Sequence, residues 1–253
     1  MKCVILAGGL VEESDPLFQY SEGRPKALIN LGGKPLLEWV LEAMFDAASV
    51  GDIAVVGVEA SDVRRFSQPV EFFPDQGSIV SNAYMGIDWA REQESGESEI
   101  LFSTADIPTI TGTLVDEHIA LCQPFDKSAY YAFVSRQTME SRFPGADRTY
   151  TRLDDLDVAS CDMMVLRTEL AEVDRSLFDS LANARKNPWK VAKTVGTRIL
   201  VRLMLRQMTM DKIEQTAERI IQQPVKVFLS ERAELAMDID KPSHLELIRA
   251  EFE

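Results

Sequence analysis

The sequence predicts an α/β fold: a Rossmann-like three-layer sandwich with a mostly parallel, mixed sheet and an additional helical subregion in the C-terminal half. Three observations carry this. Short apolar runs alternate with segments of helical period along the first half of the chain. The runs Val4–Ala7, Ile53–Val58 and Ile100–Thr104 are largely apolar, as in strands buried on both faces. The 253 residues, 45% of them hydrophobic, contain no Pro/Gly/Ser-rich linker and no internal repeat, so a single domain over 1–253 is expected.

The elements follow in order. After the first strand, Pro35–Ala48 places Leu36, Leu37, Val40, Leu41, Met44 and Phe45 at helical spacing. Ile79–Ala90 does the same with Ile79, Ala83, Tyr84 and Ile87, and Thr113–Cys122 is a further helix. Ala129–Val134 and Arg148–Leu153 read as strands flanking "ESRFPGADR", and Met163–Leu166 as another. A helical insertion is expected at about 168–222, with a long helical stretch from Trp189 to Ile221 broken near Thr209. Strands return at Val225–Leu229 and Leu235–Ile239. A last helix starts with Asp240 as N-cap and Pro242 in its first turn, and turns Leu245, Ile248 and Phe252 inward.

Charge narrows the function classes. With 27 basic and 41 acidic side chains the net charge is −14, which argues against nucleic acid or an anionic membrane as partner. It is compatible with a protein that binds a divalent cation, or with acidity serving solubility alone. Cys3, Cys122 and Cys161 show no CxxC spacing and read as small buried residues, not as a disulfide or zinc framework. The apolar run in "MKCVILAGG" is too short for a signal-peptide core, and no run reaches the length of a membrane span. The expected compartment is the cytoplasm.

In parallel sheets ligands bind beyond the carboxyl ends of the strands. Ala7-Gly8-Gly9, Thr104-Ala105-Asp106 and Met237-Asp238-Ile239-Asp240 stand at such ends. The loop "LAGGLVEESDPLFQYSEGRPKAL" lacks the GxGxxG fingerprint, and "LGGKPL" has Pro where a P-loop needs Ser or Thr. What remains is a Gly pair that lets backbone N–H groups approach an anion, followed by Arg24 and Lys26; an ordinary strand-to-helix loop fits equally. Asp106, Asp238 and Asp240, without a Cys/His cluster, suit Mg²⁺, or Mn²⁺ in its place, with turn and helix caps as the alternative. His118 and His244 have no Cys or Ser partner in a recognisable arrangement and are assigned to structure.

Four blocks, "LAGG…RPKALINLGGKPLLEWVLEAM", "DQGSIVSNAYMGI", "STADIPTIT" and "MDIDKPSHLELI", together resemble the nucleotidyltransferase superfamily. The likeness is to the branch of molybdenum-cofactor guanylyl- and cytidylyltransferases and sugar-phosphate nucleotidyltransferases. It spans nearly the whole chain, in the family's order. The resemblance implies a Mg²⁺-dependent transfer of an NMP from an NTP to a phosphorylated or hydroxyl acceptor, with release of pyrophosphate. It implies that Leu6, Ala7, Gly8 and Gly9 line the triphosphate, that Lys26 neutralises it, and that Ser81 and Asn82 meet base or ribose. Asp106 would hold the metal with Asp238 and Asp240.

Typical members read LAAGxGxRMG before the Pro-Lys pair. This chain lacks the second Gly and the early Arg, so only Arg24 is left to substitute beside Lys26 and Asp106 in catalysis. Glu12, Glu13 and Asp15 would repel a triphosphate and are expected to face water. Acceptor phosphate could meet Arg142, Arg148 and Arg152, or Arg185, Lys186, Lys190 and Lys193. In "TRILVRLMLRQM", Arg198, Arg202 and Arg206 form a stripe on a helix read as buried, with a homodimer contact or a lipid-linked acceptor as alternatives. Two other functions share the layout: a nucleotide-sugar-dependent glycosyltransferase, and a nucleotide-binding regulator without catalysis.

Overall fold

The structure, a computed structural model, describes residues 1–93, 98–154, 156–184 and 207–252. The basic run from Arg185 to Lys193 and the arginine-striped helix lie outside the described residues.

The chain opens with strand β1 (Lys2–Leu6) and the short helix α1 (Phe18–Ser21) inside the long first loop. Strands β2 (Asn30–Leu31) and β3 (Lys34–Pro35) form a hairpin around Gly32 and Gly33, which take φ of +59° and +90°. This is the structural use of "LGGKPL": a tight turn that needs glycine. Helix α2 (Leu36–Asp46), strand β4 (Ile53–Val56), strand β5 (Glu71–Phe73), helix α3 (Ile79–Glu92), strand β6 (Glu99–Thr104) and helix α4 (Gly112–Leu121) complete the first half. Strand β7 (Ala129–Ser135), helix α5 (Arg136–Arg142), strand β8 (Thr151–Arg152) and the long strand β9 (Asp157–Arg167) follow. After a 3₁₀ turn at Thr168–Glu172 come helix α6 (Arg175–Ala184), helix α7 (Met210–Ile221), strand β10 (Val225–Ser230) and helix α8 (Pro242–Arg249).

The main sheet runs β10-β7-β9-β6-β1-β4-β5, with β8 paired to β9. Pairings β1–β4, β1–β6, β4–β5 and β7–β10 are parallel, and every pairing of β9 is antiparallel. The sheet is therefore mixed and mostly parallel, as expected.

Alternation along the strands builds two cores. Cys3 and Ile5 of β1, Ile53 and Val55 of β4 and Leu101 of β6 face α2, α4, α5 and α8. Val4, Ala54, Val56, Ile100 and Phe102 face Ile87, Trp89 and Ala90 of α3. Helix α7 covers the far end of that second face, over Val225 and Val227. Gly86 lets α3 lie close on β1, where a Cβ would stand 2.4 Å from a Val4 methyl. Lys2 is buried and caps the end of α3, its Nζ donating to the carbonyls of Ala90 (2.6 Å) and Gln93 (3.0 Å). Among the described residues no helix is long and apolar enough to cross a membrane.

Three local expectations are corrected. Of Arg148–Leu153 only Thr151–Arg152 joins the sheet, and the Arg148 side chain turns inward to Asp238. Leu235–Ile239 is not a strand: a 3₁₀ turn at Ala233–Ala236 leads into an irregular segment. Its apolar residues Leu235, Ala236, Met237 and Ile239 are buried by packing against the first core rather than by alternating across a sheet. Asp240 does not cap α8. Lys241 takes the N-cap place with Pro242 just inside, because the Asp240 carboxylate is engaged by Lys26.

Candidate active site

Strand β1 ends at Leu6, and the chain turns through Ala7, Gly8 and Gly9. Two close approaches require glycine here. A Cβ on Gly57 (φ +120°) would lie 2.1 Å from the Gly8 nitrogen, and a Cβ on Gly8 would lie 2.5 Å from Asn82 Nδ2 and 2.8 Å from Asp75 Oδ1. The Asp75 carboxylate ties this corner together. It accepts from the N–H of Gly9 (3.3 Å), from the N–H of Gly77 (3.1 Å) and from Asn82 Nδ2 (2.9 Å). Asn82 Oδ1 in turn accepts from the N–H of Gln76 (2.7 Å). Ser78 caps α3, its hydroxyl accepting from the Ser81 N–H, so the positive end of a helix of about four turns points toward this corner.

These parts border a cleft of about 290 Å³ between Leu6–Gly9, Lys26–Ala27, Asp75 with Gly77–Ile79 and Asn82, and Thr104–Asp106. One side offers the N-terminus of α3, a usual place for phosphate, while the Gly9 and Gly77 N–H groups beside it are held by the Asp75 carboxylate. The other side carries charge.

Lys26 enters from the extended Pro25 into a 3₁₀ turn, Lys26–Leu28. Its ammonium bridges Asp106 and Asp240, donating to Asp240 Oδ1 at 2.7 Å. Burial would weaken that ammonium, yet the two carboxylates more than offset it and hold its pKa above the ordinary lysine range. For Asp240 burial acts upward, but the hydrogen bond with Asp238 and the Lys26 charge hold the carboxyl well below its usual value. Arg148 is nearly buried and grips Asp238 twice, through its carboxylate and through its carbonyl oxygen at 3.0 Å. Even so, burial, the Asp240 hydrogen bond and the Asp106 charge push Asp238 up to about 6. Asp162 of β9, beneath it, is raised well above its usual range by burial and by the charges of Asp238 and Asp106. His244 Nδ1 lies 2.9 Å from the Asp238 carbonyl and 3.2 Å from the Asp240 nitrogen, which fixes the backbone between the two aspartates.

The residues fit a hard divalent cation. One carboxylate oxygen from each of Asp106, Asp238 and Asp240 lies within 4.8 Å of the others. Asp106 Oδ1 is buried without a hydrogen-bond partner, so one oxygen at this point is left with its demand unmet. An all-oxygen donor set of this kind matches Mg²⁺ or Mn²⁺.

Residues 3–232 match the model of the MobA-like NTP transferase domain. The chain belongs to this nucleotidyltransferase family. A hypothetical transferase structure from Thermus thermophilus is 26% identical to this MobA-like domain, with a TM-score of 0.81 over 96% of this chain and 98% of that one. CMP:2-keto-3-deoxy-manno-octonic acid synthetase complexed with CTP shares the fold, with a TM-score of 0.59 over 99% of this chain and 98% of that one at 13% identity. Bifunctional protein GlmU of Thermoanaerobacter pseudethanolicus is 28% identical over 116 residues, which are 46% of this chain and 24% of GlmU. The MobA-like domain thus aligns with about a quarter of that protein's length, 24%.

In this MobA-like domain Leu6, Ala7, Gly8, Gly9, Lys26, Asn82 and Asp106 all border the cleft, and Asp238 and Asp240 join them through Lys26, Arg148 and Asp106. Ser81 does not border it; its hydroxyl accepts from Arg175 Nη2 at 2.6 Å. Arg24 is exposed and stands outside the cleft lining. Glu12, Glu13 and Asp15 are exposed. Arg142 is paired with Glu234 and Glu251, and Arg148 with Asp238, so neither is presented as a bare cation for an acceptor phosphate; Arg152 is exposed. Sequence reasoning missed Asp75, Gly57, Arg148 as the Asp238 partner, and Asp162. Asp75 had a signal, an Asp-x-Gly turn just before a capped helix. The other three had none, because their meaning lies in contacts distant in sequence.

Proposed function

We propose that this MobA-like domain transfers an NMP from an NTP to a small phosphorylated or hydroxyl acceptor and releases pyrophosphate. One observation supports this reading best. The Gly8–Gly9 turn, the α3 N-terminus and Lys26 with Asp106 and Asp240 meet around a single cleft at the carboxyl end of the sheet.

In the reaction an acceptor oxygen attacks the α-phosphorus. A new P–O bond forms, the bond from the α-phosphorus to the bridging oxygen breaks, and pyrophosphate carries away that electron pair. Such transfer needs positioning and charge neutralisation more than covalent help. The Gly8–Gly9 backbone and the α3 N-terminus orient the triphosphate. Lys26 neutralises its charge as the leaving group forms. Asp106 and Asp240, with Asp238 behind them, would hold Mg²⁺, which when bound supplies Lewis-acid neutralisation of phosphate oxygens.

The test is thermal stability with ATP, GTP, CTP and UTP, each with and without Mg²⁺. A ligand that binds the folded state raises the melting temperature by mass action, so stabilisation by at least one NTP is expected. No response to any of the four would overturn the reading.

A further inference from the structure

We propose that Lys26 is a resident, exchangeable counter-ion of the carboxylate pair Asp106/Asp240, so that a divalent cation enters the site only together with a polyphosphate that draws Lys26 away. This rests on the reading of the cleft as an NTP site and adds to it an order of assembly and a division of labour between two cations.

The site holds Asp106, Asp238 and Asp240 in mutual contact range, with the half-buried Asp162 of β9 hydrogen-bonded to Asp238. Two cations answer this charge, and they are built differently. Arg148 is 9% exposed at its side chain and engages both the carboxylate and the carbonyl of Asp238. A planar guanidinium bound at two points and buried is a fixed partner. Asp238 is thereby withdrawn, and the carboxylates left to Lys26 are Asp106, which lines the cleft, and Asp240, which lies beyond its lining on the other side of the ammonium.

Lys26 is the opposite case. Its ammonium sits between Asp106 and Asp240 and touches both, and its side chain is 27% exposed on the cleft side. The same residue borders the cleft beside Gly8 and Gly9. An ammonium is a compact charge on a flexible stem, with three donors that can be re-aimed. Between these two carboxylates it meets the demand that a divalent cation would meet. A cation arriving alone must therefore displace an ion pair and then stand beside an uncompensated ammonium. At a separation of about 4 Å that repulsion is only partly screened by the protein. A triphosphate removes the obstacle, because its oxygens offer Lys26 a new partner on the cleft side while Asp106 and Asp240 are released. Asp106 Oδ1, buried and unpartnered, marks the capacity that the lysine leaves unused.

The experiment is a Mn²⁺ titration followed by the electron paramagnetic resonance signal of the free ion, on the full chain. Wild type should take up little Mn²⁺ alone. Lys26→Met should bind Mn²⁺ alone roughly tenfold tighter or better. Lys26→Arg, which keeps the charge, should not gain, and Lys26→Met combined with Asp240→Asn should lose the gain. In wild type, the NTP that stabilises the protein should tighten Mn²⁺ binding, and Mn²⁺ should tighten that NTP by the same factor. Tight uptake of Mn²⁺ by wild type without nucleotide overturns the proposal, even if the Lys26 variants fail to fold. So does a folded Lys26→Met that binds no better than wild type. If an NTP stabilises wild type but Lys26→Met gains nothing, the exchange is wrong and the nucleotide site stands. If no NTP binds, the nucleotide reading falls, while the metal-only titrations still decide whether Lys26 holds the cation site.

Discussion

The backbone N–H of Ile239 donates to the carbonyl oxygen of Asp106 across 3.0 Å. That single bond seats the segment before α8 on the end of β6, and so brings Asp238 and Asp240 to Asp106. Because Ile239 itself is fully buried, the two flanking aspartates are held by the core and not by a surface loop.

Removing the carboxylate at the centre of this arrangement should cost activity more than stability. Asp106→Ala should lower turnover on the order of 10²-fold, as loss of one charge stabiliser does. Pyrophosphate release with the stabilising NTP measures it, and an unchanged rate would remove Asp106 from the reaction.

Arg148→Met should be costly in a different way. It leaves Asp238 buried without its counter-ion, and breaking a buried pair from one side costs about 3–5 kcal/mol. Adding Asp238→Asn removes the orphaned charge and should recover part of the loss. Urea unfolding of both single variants and the double variant gives the coupling; simple additivity would mean the pair does not act as a unit.

The glycines of the cleft should differ in tolerance. Gly57→Ala puts a Cβ 2.1 Å from the Gly8 nitrogen at a φ of +120°, where backbone must move. Gly9→Ala has open space at φ +94° and meets conformational strain alone, on the order of 1–2 kcal/mol. Urea midpoints should therefore fall further for Gly57→Ala. Equal midpoints would contradict the close approach of Gly57 to Gly8.

Stability should depend on pH through His118. It is buried with neither ring nitrogen hydrogen-bonded, and burial lowers its pKa from 6.5 to about 4. Below about pH 6.5 the unfolded chain takes up a proton that the folded chain refuses. Stability is thus lost as pH falls from about 6.5 to 4, by up to about 3 kcal/mol from this group. Asp238, raised to about 6, works in the opposite direction, because there the folded state binds the proton first. The measurement is accordingly the difference between wild type and His118→Leu in urea unfolding from pH 7 to 4. The variant should lose less stability on acidification, and parallel curves would refute the assignment.

The alternation of β1, α2, β4, α3, β6 and α4 was legible because each element repeats its own period over several residues, and both sheet faces then follow from which residues alternate. The edge strand Glu71–Phe73 and the helix Arg136–Arg142 were not, being short and, in Glu71 and Arg136, starting on charge. Leu235–Ile239 misled because an apolar run records burial, not the means of burial.

By itself the sequence determined the layering of the fold, the glycine turn after β1, and the aspartates that stand near the ends of chain segments, since period, turn chemistry and spacing are local properties. Only the tertiary structure decided which cation answers which carboxylate. Arg148 was legible as a basic residue and Asp238 as an acid, but their pairing, like the bridge of Lys26 between Asp106 and Asp240, depends on how distant segments pack. Charge acts through space at a few ångströms, and in this fold those ångströms are set by the core beneath β1, β6 and the turn before α8.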